Sequence, residues 1–157
     1  MRIQHAGISK TPEWTEARKK IKARLLDYKE AQREYENAQR ELDFFKAKLE
    51  MIPVDYKQPK VKGGKKKKDL AEAIATLEEM HREADEKWED CLTRIIAAKK
   101  LLLQVEDARK RGILFMRYFE LTPWEEIAEK IKLDRRWIIR LHDQALDEIA
   151  QKQEEET

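Results

Sequence analysis

The chain has 157 residues, of which 42% are charged, with 34 Lys and Arg against 32 Asp and Glu, four glycines, four prolines and one cysteine. Charged residues make up only about 25% of an ordinary globular chain, so this composition is typical of long solvated helices. It argues against a β-sandwich, a glycine-rich phosphate loop or a disulfide framework. Lone Cys91 and apolar runs no longer than 95–98 and 101–103 predict an intracellular protein without a membrane span.

The first predicted element is a long helix over residues 12–52. Thr11 and Pro12 form a cap-and-proline start. Apolar side chains then recur every seven residues in two rows, namely Trp14, Ile21, Tyr28, Tyr35, Leu42 and Leu49, and Ala17, Arg24, Ala31, Ala38, Phe45 and Ile52. Such a heptad repeat predicts a helix that pairs with another helix.

A second heptad stripe predicts a helix over residues 69–109. Its rows are Leu70, Leu77, Ala84, Cys91, Ala98 and Val105, and Ile74, His81, Trp88, Ile95 and Leu102. Residues 1–52 are net basic and 69–109 net acidic, which favours pairing of the two arms. We therefore expect residues 1–109 to form a long antiparallel coiled-coil helical hairpin. Apolar residues outside the stripe, at Leu92, Ile96, Leu101 and Leu103, predict dimerisation or packing against the C-terminal segment.

Residues 53–68 are predicted to form a flexible loop between the arms. They contain seven lysines, two prolines and the Gly63-Gly64 pair, with Lys65, Lys66, Lys67 and Lys68 in succession. Two interpretations stay open. The lysines could make non-specific contacts with a phosphate backbone, or the loop could be a solvated hairpin tip without a partner.

The heptad pattern ends before residue 110, and short helices follow. Gly112 is a candidate break, and Thr122 with Glu125 forms a capping box in front of the next helix. Residues 132–134 have the composition of a turn, and a last helix is predicted from Arg135 to about Ala150, before an acidic tail over 151–157. A short helix, a tight turn and a longer helix over 110–150 predict a helix-turn-helix module.

Several strings in this module resemble the C-terminal helix-turn-helix, region 4, of bacterial sigma-70 factors. They resemble more closely a phage and prophage family of Gram-positive bacteria whose members join a helical N-terminal half to a region 4-like end. The strings, within residues 105–149, are Arg117-Tyr118, Trp124-Glu125-Glu126-Ile127-Ala128-Glu129, Arg136-Trp137-Ile138, Arg140-Leu141-His142 and Ala145-Leu146. The resemblance implies a phage-encoded transcriptional regulator in the cytoplasm of a bacterial host cell, with double-stranded DNA as partner and RNA polymerase as a candidate second partner.

The last helix separates into a buried stripe and an outward face. The predicted buried stripe is Ile138, Leu141, Ala145 and Ile149. The residues predicted to read DNA bases are Arg135, Arg136, Ile139, Arg140 and Asp143. Contacts with the DNA backbone are predicted for Thr122, Trp124, Lys130 and Lys132.

Two features of the module depart from expectation. Sigma-type modules usually carry a glycine where this chain has Lys132, which predicts a strained or altered turn. Residues 110–149 have no net charge, and DNA affinity depends largely on phosphate neutralisation. We therefore expect one copy to bind weakly and the protein to be a homo-oligomer or to act with a partner protein.

No constellation for catalysis, a cofactor, a metal or a small-molecule substrate is visible. His5, His81 and His142 lack ligand spacing, and His81 on the heptad stripe is expected to set helix register. Cys91 is expected to be a small buried apolar group. The aromatic residues Tyr118, Phe119, Trp124 and Trp137 are predicted to lie in a small core rather than to stack on bases.

The leading hypothesis is a DNA-binding transcriptional regulator whose hairpin serves oligomerisation or partner contact. One alternative is a phage DNA-packaging protein like the small terminase subunit, although the motif usually comes first in those chains. Another is a coiled-coil adaptor that binds proteins only. The absence of net charge in the module favours the adaptor, and the arginines of the last helix favour DNA binding.

Overall fold

The computed structural model describes residues 12–51 and 64–157, and every regular element in those ranges is an α-helix. The predicted all-α class is therefore confirmed. The helices are α1 (Pro12–Leu26), α2 (Tyr28–Glu50), α3 (Gly64–Leu102), α4 (Ala108–Tyr118), α5 (Trp124–Ile131) and α6 (Arg135–Glu156). Within these ranges, no helix has both the length and the apolar character that a membrane span requires.

The described chain divides into two compact units. The first unit contains residues 12–28 and 94–157, and the second contains 29–51 and 64–93. This division differs from the predicted one, because α1 lies with the C-terminal helices. Its side chains hold α6 along its length: Arg18 Nε donates to Asp147 Oδ1 at 2.7 Å, and Arg24 Nη1 donates to Gln153 Oε1 at 2.8 Å.

The core of the first unit consists of two clusters that share α4 and α6. The larger cluster joins α1, the end of α3, α4 and α6, and its fully buried members include Leu25, Leu102, Leu114, Leu146 and Ile149. The smaller cluster joins α4, α5 and α6 through Ile113, Ile127, Ile138 and Leu141. The last three helices therefore form a small module that is seated on the rest of the unit.

The predicted helix over 12–52 is interrupted at Asp27, and Ile52 lies outside the described residues. Neither proline nor glycine marks the break in the sequence. Tyr28, the first residue of α2, donates its hydroxyl to the backbone oxygen of Tyr118 at 2.6 Å, and its ring stacks on Phe119. Asp27 pairs with Arg94 at 2.6 Å. The break thus occurs where tertiary contacts hold the chain.

The sequence predicts the second helix over residues 69–109. The observed helix, α3, begins before residue 69 and ends before residue 109. Residues 64–68 of the predicted loop form the start of α3, and the rest of that loop lies outside the described residues. Lysine is a good helix former, which explains why a lysine run can extend a helix. After Leu102 the chain leaves the helix, and the carboxylate of Asp107 caps α4 by accepting the Arg109 N–H at 2.9 Å.

Two further boundaries in the C-terminal part differ from the predictions. Gly112 is no break and lies inside α4. The final helix continues to Glu156 rather than ending near Ala150, so the predicted acidic tail is largely helical. Gln153 explains the extension, because it bonds to Arg24 and also donates to Gln104 Oε1 at 3.0 Å.

The second unit consists of parts of α2 and α3 and has a thin core. Its buried apolar residues are Ala31, Leu42, Ala84 and Cys91, which confirms the predicted burial of the cysteine. The rings of Tyr35 and Trp88 meet with their centroids 5.1 Å apart. Large apolar side chains elsewhere in the unit are about half exposed, including Phe44, Phe45, Leu70, Ile74, Trp88 and Leu92. His81 is exposed as well.

Candidate nucleic-acid interface

Helix α5 begins after an extended Pro123 and not after a capping threonine. No side chain caps its N-terminus, and the Pro123 carbonyl accepts the Ile127 N–H at 3.1 Å. Thr122 is only 6% exposed, and its backbone binds Met116 and Arg117. The module therefore encloses Thr122, which argues against the predicted contact of this residue with the DNA backbone.

The turn between α5 and α6 depends on a left-handed residue. Lys132 has φ 62° and ψ 41°, and its N–H donates to the Ala128 carbonyl. Leu133 N–H donates to the same oxygen at 3.1 Å. This is the conformation in which glycine is most common, so the lysine occupies a glycine-type position at some cost in backbone energy. The helix reversal is completed by an extended Asp134 in front of α6.

The inner face of α6 is the one that the sequence predicts. Ile138, Leu141, Ala145 and Ile149 are all buried, which confirms the predicted stripe. His142 and Leu146 are buried beside it. With this face fixed, the opposite side of the first two turns of α6 is left to solvent.

Three arginines lie on that solvent side, and Ile139 is half-buried next to them. Arg135 Nε pairs with Glu125 Oε1 at 3.1 Å, and both side chains are more than half exposed. The Arg140 guanidinium lies 5.5 Å from the ring centroid of Trp137. Arg136 is exposed, and no hydrogen bond or ion pair engages it among the described residues. We name Arg135, Arg136, Ile139 and Arg140 the α6 face.

Asp143 does not belong to the α6 face. Its Oδ1 lies 3.0 Å from His142 Nδ1, and its Oδ2 lies 3.6 Å from Arg18 Nη1. Arg18 binds Asp147 in a bidentate pair, with distances of 2.7 and 2.8 Å. These contacts argue against the predicted base-reading role of Asp143, because α1 packs on the side of α6 on which the carboxylate lies.

A buried hydrogen-bond chain continues from Asp143 into the core. His142 Nε2 lies 2.7 Å from the Tyr118 hydroxyl, and the Tyr118 carbonyl accepts from Tyr28. A neutral imidazole satisfies both contacts if Nδ1 donates to Asp143 and Nε2 accepts from Tyr118. The sequence analysis missed this chain, although the place of His142 between core positions Leu141 and Ala145 could have pointed to it.

The pKa values of this chain are shifted in directions that keep it intact near neutral pH. Burial lowers the pKa of His142 and raises the pKa of Tyr118. Burial alone would raise the pKa of Asp143, but the hydrogen bond from His142 and the charge of Arg18 outweigh it, so that pKa lies below its usual value. The hydrogen bonds to Asp147 raise the pKa of Arg18.

The remaining predicted DNA-contacting residues take different positions. Trp124 packs against the smaller core cluster. The Arg117 guanidinium lies 4.2 Å from the centroid of the Trp124 ring, and the rings of Trp124 and His142 meet in an edge-to-face arrangement. Lys130 and Lys132 are exposed, and Lys130 pairs with Glu126 at 3.6 Å. Lys65 and Lys66 lie in the first turn of α3, whereas Lys67 and Lys68 are exposed on it.

The predicted aromatic core is confirmed for three of its four members. Tyr118 is buried, and Phe119 and Trp124 pack against the two core clusters. Trp137 is the exception, since it is 42% exposed on the outer side of α6. In the part of the chain that the structure describes, no group of three or more His, Cys, Asp or Glu side chains is arranged to hold a metal ion.

Comparison with known proteins does not assign the module. No protein-family model matches the chain, and searches of the curated proteins and of the solved structures give no match. Functional interpretation therefore depends on the residues of the first unit and their geometry.

Proposed function

We propose that this protein binds double-stranded DNA through α5, the turn at Lys132 and α6, as a transcriptional regulator of phage origin. The observation that carries the proposal is the α6 face. It places three guanidinium groups and an aliphatic side chain on the first turns of a helix whose other side is buried. In helix-turn-helix proteins the corresponding part of the second helix enters the major groove.

The α6 face has the chemistry that base recognition needs. Arginine can donate two hydrogen bonds to O6 and N7 of guanine, and an aliphatic side chain can contact the methyl group of thymine. Arg136 and Arg140 have no carboxylate partner among the described residues, so no ion pair has to be broken before they bind. The Arg135 pair with Glu125 is exposed, and such pairs contribute only about 0–1 kcal/mol.

The position of α1 relieves the main objection to DNA binding, which is the lack of net charge in residues 110–149. Helix α1 carries five Lys and Arg residues against two glutamates. Arg18 contacts the carboxylates of both Asp143 and Asp147, so part of the negative charge that follows the α6 face is offset within the protein. Binding would then be favoured by the first unit as a whole and not by the module alone.

The test is retention of fragments of the source genome by the purified full chain at about 100 mM salt, where phosphate contacts are partly screened. The variant replaces Arg135, Arg136 and Arg140 by alanine. A matched control replaces Lys99, Lys100 and Arg109, which are also exposed, and removes the same charge. We expect one recovered sequence motif that the variant loses and the control keeps.

Other outcomes would reassign the activity. Retention without a motif that persists in the α6-face variant but disappears when Lys65 to Lys68 are replaced would place DNA binding on the start of α3. A recovered motif at packaging sites rather than promoters would favour the DNA-packaging alternative. No retention at all would contradict DNA binding and favour the protein adaptor.

A further inference from the structure

Trp137 is the large apolar side chain of α6 that the fold leaves most exposed. Its exposed fraction is 42%, whereas the neighbouring Ile138 and Leu141 are buried. At about 100° per residue, Trp137 lies about 60° around the helix from Arg140. Asp143, which Arg18 of α1 contacts, lies about 120° around the helix from it. The fold therefore leaves an indole ring beside the arginines of the α6 face, on the side away from α1.

The ring of Trp137 is in contact with one of those arginines. The Arg140 guanidinium lies 5.5 Å from the ring centroid, and a cation within about 6 Å of an indole is attracted to it. The same kind of contact occurs inside the module, where the Arg117 guanidinium lies 4.2 Å from the ring centroid of Trp124. On the surface of α6, the contact restricts a long side chain that is otherwise free to take many rotamers.

We propose that Trp137 determines specificity in the α6 face, by positioning Arg140 for a guanine and by contacting the methyl group of a thymine in the neighbouring base pair. The inference rests on the proposed DNA binding through α6. It goes further in naming the base step that the protein recognises, a guanine next to a thymine.

The spacing of the two side chains fits neighbouring base pairs. Trp137 and Arg140 are three residues apart, which is about 4.5 Å along the helix axis. Successive base pairs are about 3.4 Å apart. In helix-turn-helix proteins this helix lies in the major groove. A guanidinium on one guanine therefore brings the ring to the next pair in the groove.

Thymine is the base that suits an apolar ring. Its methyl group is the apolar feature of the base edges in the major groove, where guanine, adenine and cytosine offer hydrogen-bonding groups. Contact with that methyl group removes apolar surface of both partners from water, which is favourable. A phosphate offers the ring no such gain, because only the indole N–H could bind it.

Photocrosslinking of the full chain tests the contact directly. The probe is a duplex with the recovered motif, in which one thymine at a time is replaced by 5-iodouracil, whose iodine stands in the place of the methyl group. We expect a crosslink at a thymine next to a guanine, mapped to Trp137 by mass spectrometry. Trp137→Leu should lose this crosslink. Trp88→Leu, at a position 45% exposed in the second unit, is the matched control and should keep it.

Affinity gives an independent readout of both roles of the ring. Uracil in place of the same thymine removes only the methyl group, and should weaken binding of wild type about fourfold, as for one buried methyl-sized group. In Trp137→Ala the same replacement should change affinity less than twofold, and Trp137→Phe should keep part of the effect. Because the ring positions Arg140, the losses of Trp137→Ala and Arg140→Ala on the motif should be less than additive.

Three results would overturn the inference and leave DNA binding through α6 in place. These are a motif without a thymine next to a guanine, a uracil effect as large in Trp137→Ala as in wild type, and a loss in Trp137→Ala that is equal on the motif and on a scrambled duplex. The last result would place the ring on the DNA backbone. If wild type binds no duplex, the proposed function is overturned and this inference with it.

Discussion

The two compact units use similar amounts of helix in different ways. In the first unit, parts of four helices, α1, α3, α4 and α6, enclose Leu102, Leu114, Leu146 and their neighbours completely. In the second unit, parts of two helices enclose few side chains and leave Phe44, Leu70 and Trp88 about half exposed. A stripe of apolar residues therefore predicts a partner surface, but only the number of helices that meet there decides whether one chain can cover it.

The largest effect should distinguish the two cores. Leu146→Ala removes a fully buried side chain from the first unit, and such changes cost about 2–5 kcal/mol of unfolding free energy. Leu70→Ala, in dilute solution, should change it by less than about 0.5 kcal/mol, as for surface sites. Urea unfolding followed by circular dichroism measures both. Equal losses would mean that the second unit has a core as complete as the first.

The next effect concerns the attachment of α1 to α6. Arg18→Leu removes the bidentate pair with Asp147 and the contact with Asp143. Hydrogen bonds to charged groups contribute about 1.5–3 kcal/mol, so we expect a loss of that size in unfolding free energy. Lys19→Leu, at an exposed neighbouring position with only a surface pair to Glu16, is the control. A loss as large in the control would show that the charge of α1, and not the Arg18 contacts, stabilises the unit.

A smaller effect should appear in the pH dependence of stability. Burial lowers the pKa of His142 in the folded chain below its ordinary value of 6.5. As the pH falls, this imidazole is therefore protonated in the unfolded chain at a higher pH than in the folded chain. Stability from this group is therefore complete above about pH 6.5 and is lost as the pH falls towards the lower folded-state pKa, with a slope of at most about 1.4 kcal/mol per pH unit.

The measurement is unfolding free energy between pH 7.5 and 5 for wild type, His142→Gln and His81→Gln. His142→Gln should remove the slope in that range, although it also lowers stability overall. His81→Gln, at an exposed position, should keep the slope. A wild-type slope that survives in His142→Gln would assign the pH dependence to another group.

The smallest effect is expected inside α4. Gly112 lies within the helix, and nothing stands within 4 Å of a Cβ atom added there. Alanine at this position should raise the unfolding free energy by about 0.5–1 kcal/mol, because glycine in a helix is unfavourable by that amount. A decrease in thermal stability of Gly112→Ala would contradict the uninterrupted course of α4.

Local patterns in the sequence predict much of the fold. The spacing of apolar residues predicts the helices, the buried stripe of α6 and the burial of Cys91. The structure confirms these three predictions. The break at Asp27 could not be predicted in this way, because no local breaker is present and the Tyr28 contact with Tyr118 spans 90 positions. The extension of α6 to Glu156 likewise depends on a distant partner, Gln104.

The candidate site shows the same limit. The placement of Arg136 and Arg140 on the exposed side of α6 follows from helical spacing, and their predicted contact with bases stays a prediction. Asp143 has similar spacing but faces Arg18, 125 positions earlier in the chain. Sequence periodicity indicates which side of a helix is polar, and it does not indicate which part of that side a distant helix will cover.

The most direct test of the central claim compares the affinity of wild type and Arg136→Ala for two duplexes, the recovered motif and a scrambled version of it, by fluorescence anisotropy at fixed salt. If Arg136 reads a base, the variant should lose about 1–3 kcal/mol, or roughly 5-fold to 150-fold in affinity, on the motif and much less on the scrambled duplex. Equal losses on both duplexes, or no loss on either, would contradict base reading by the α6 face.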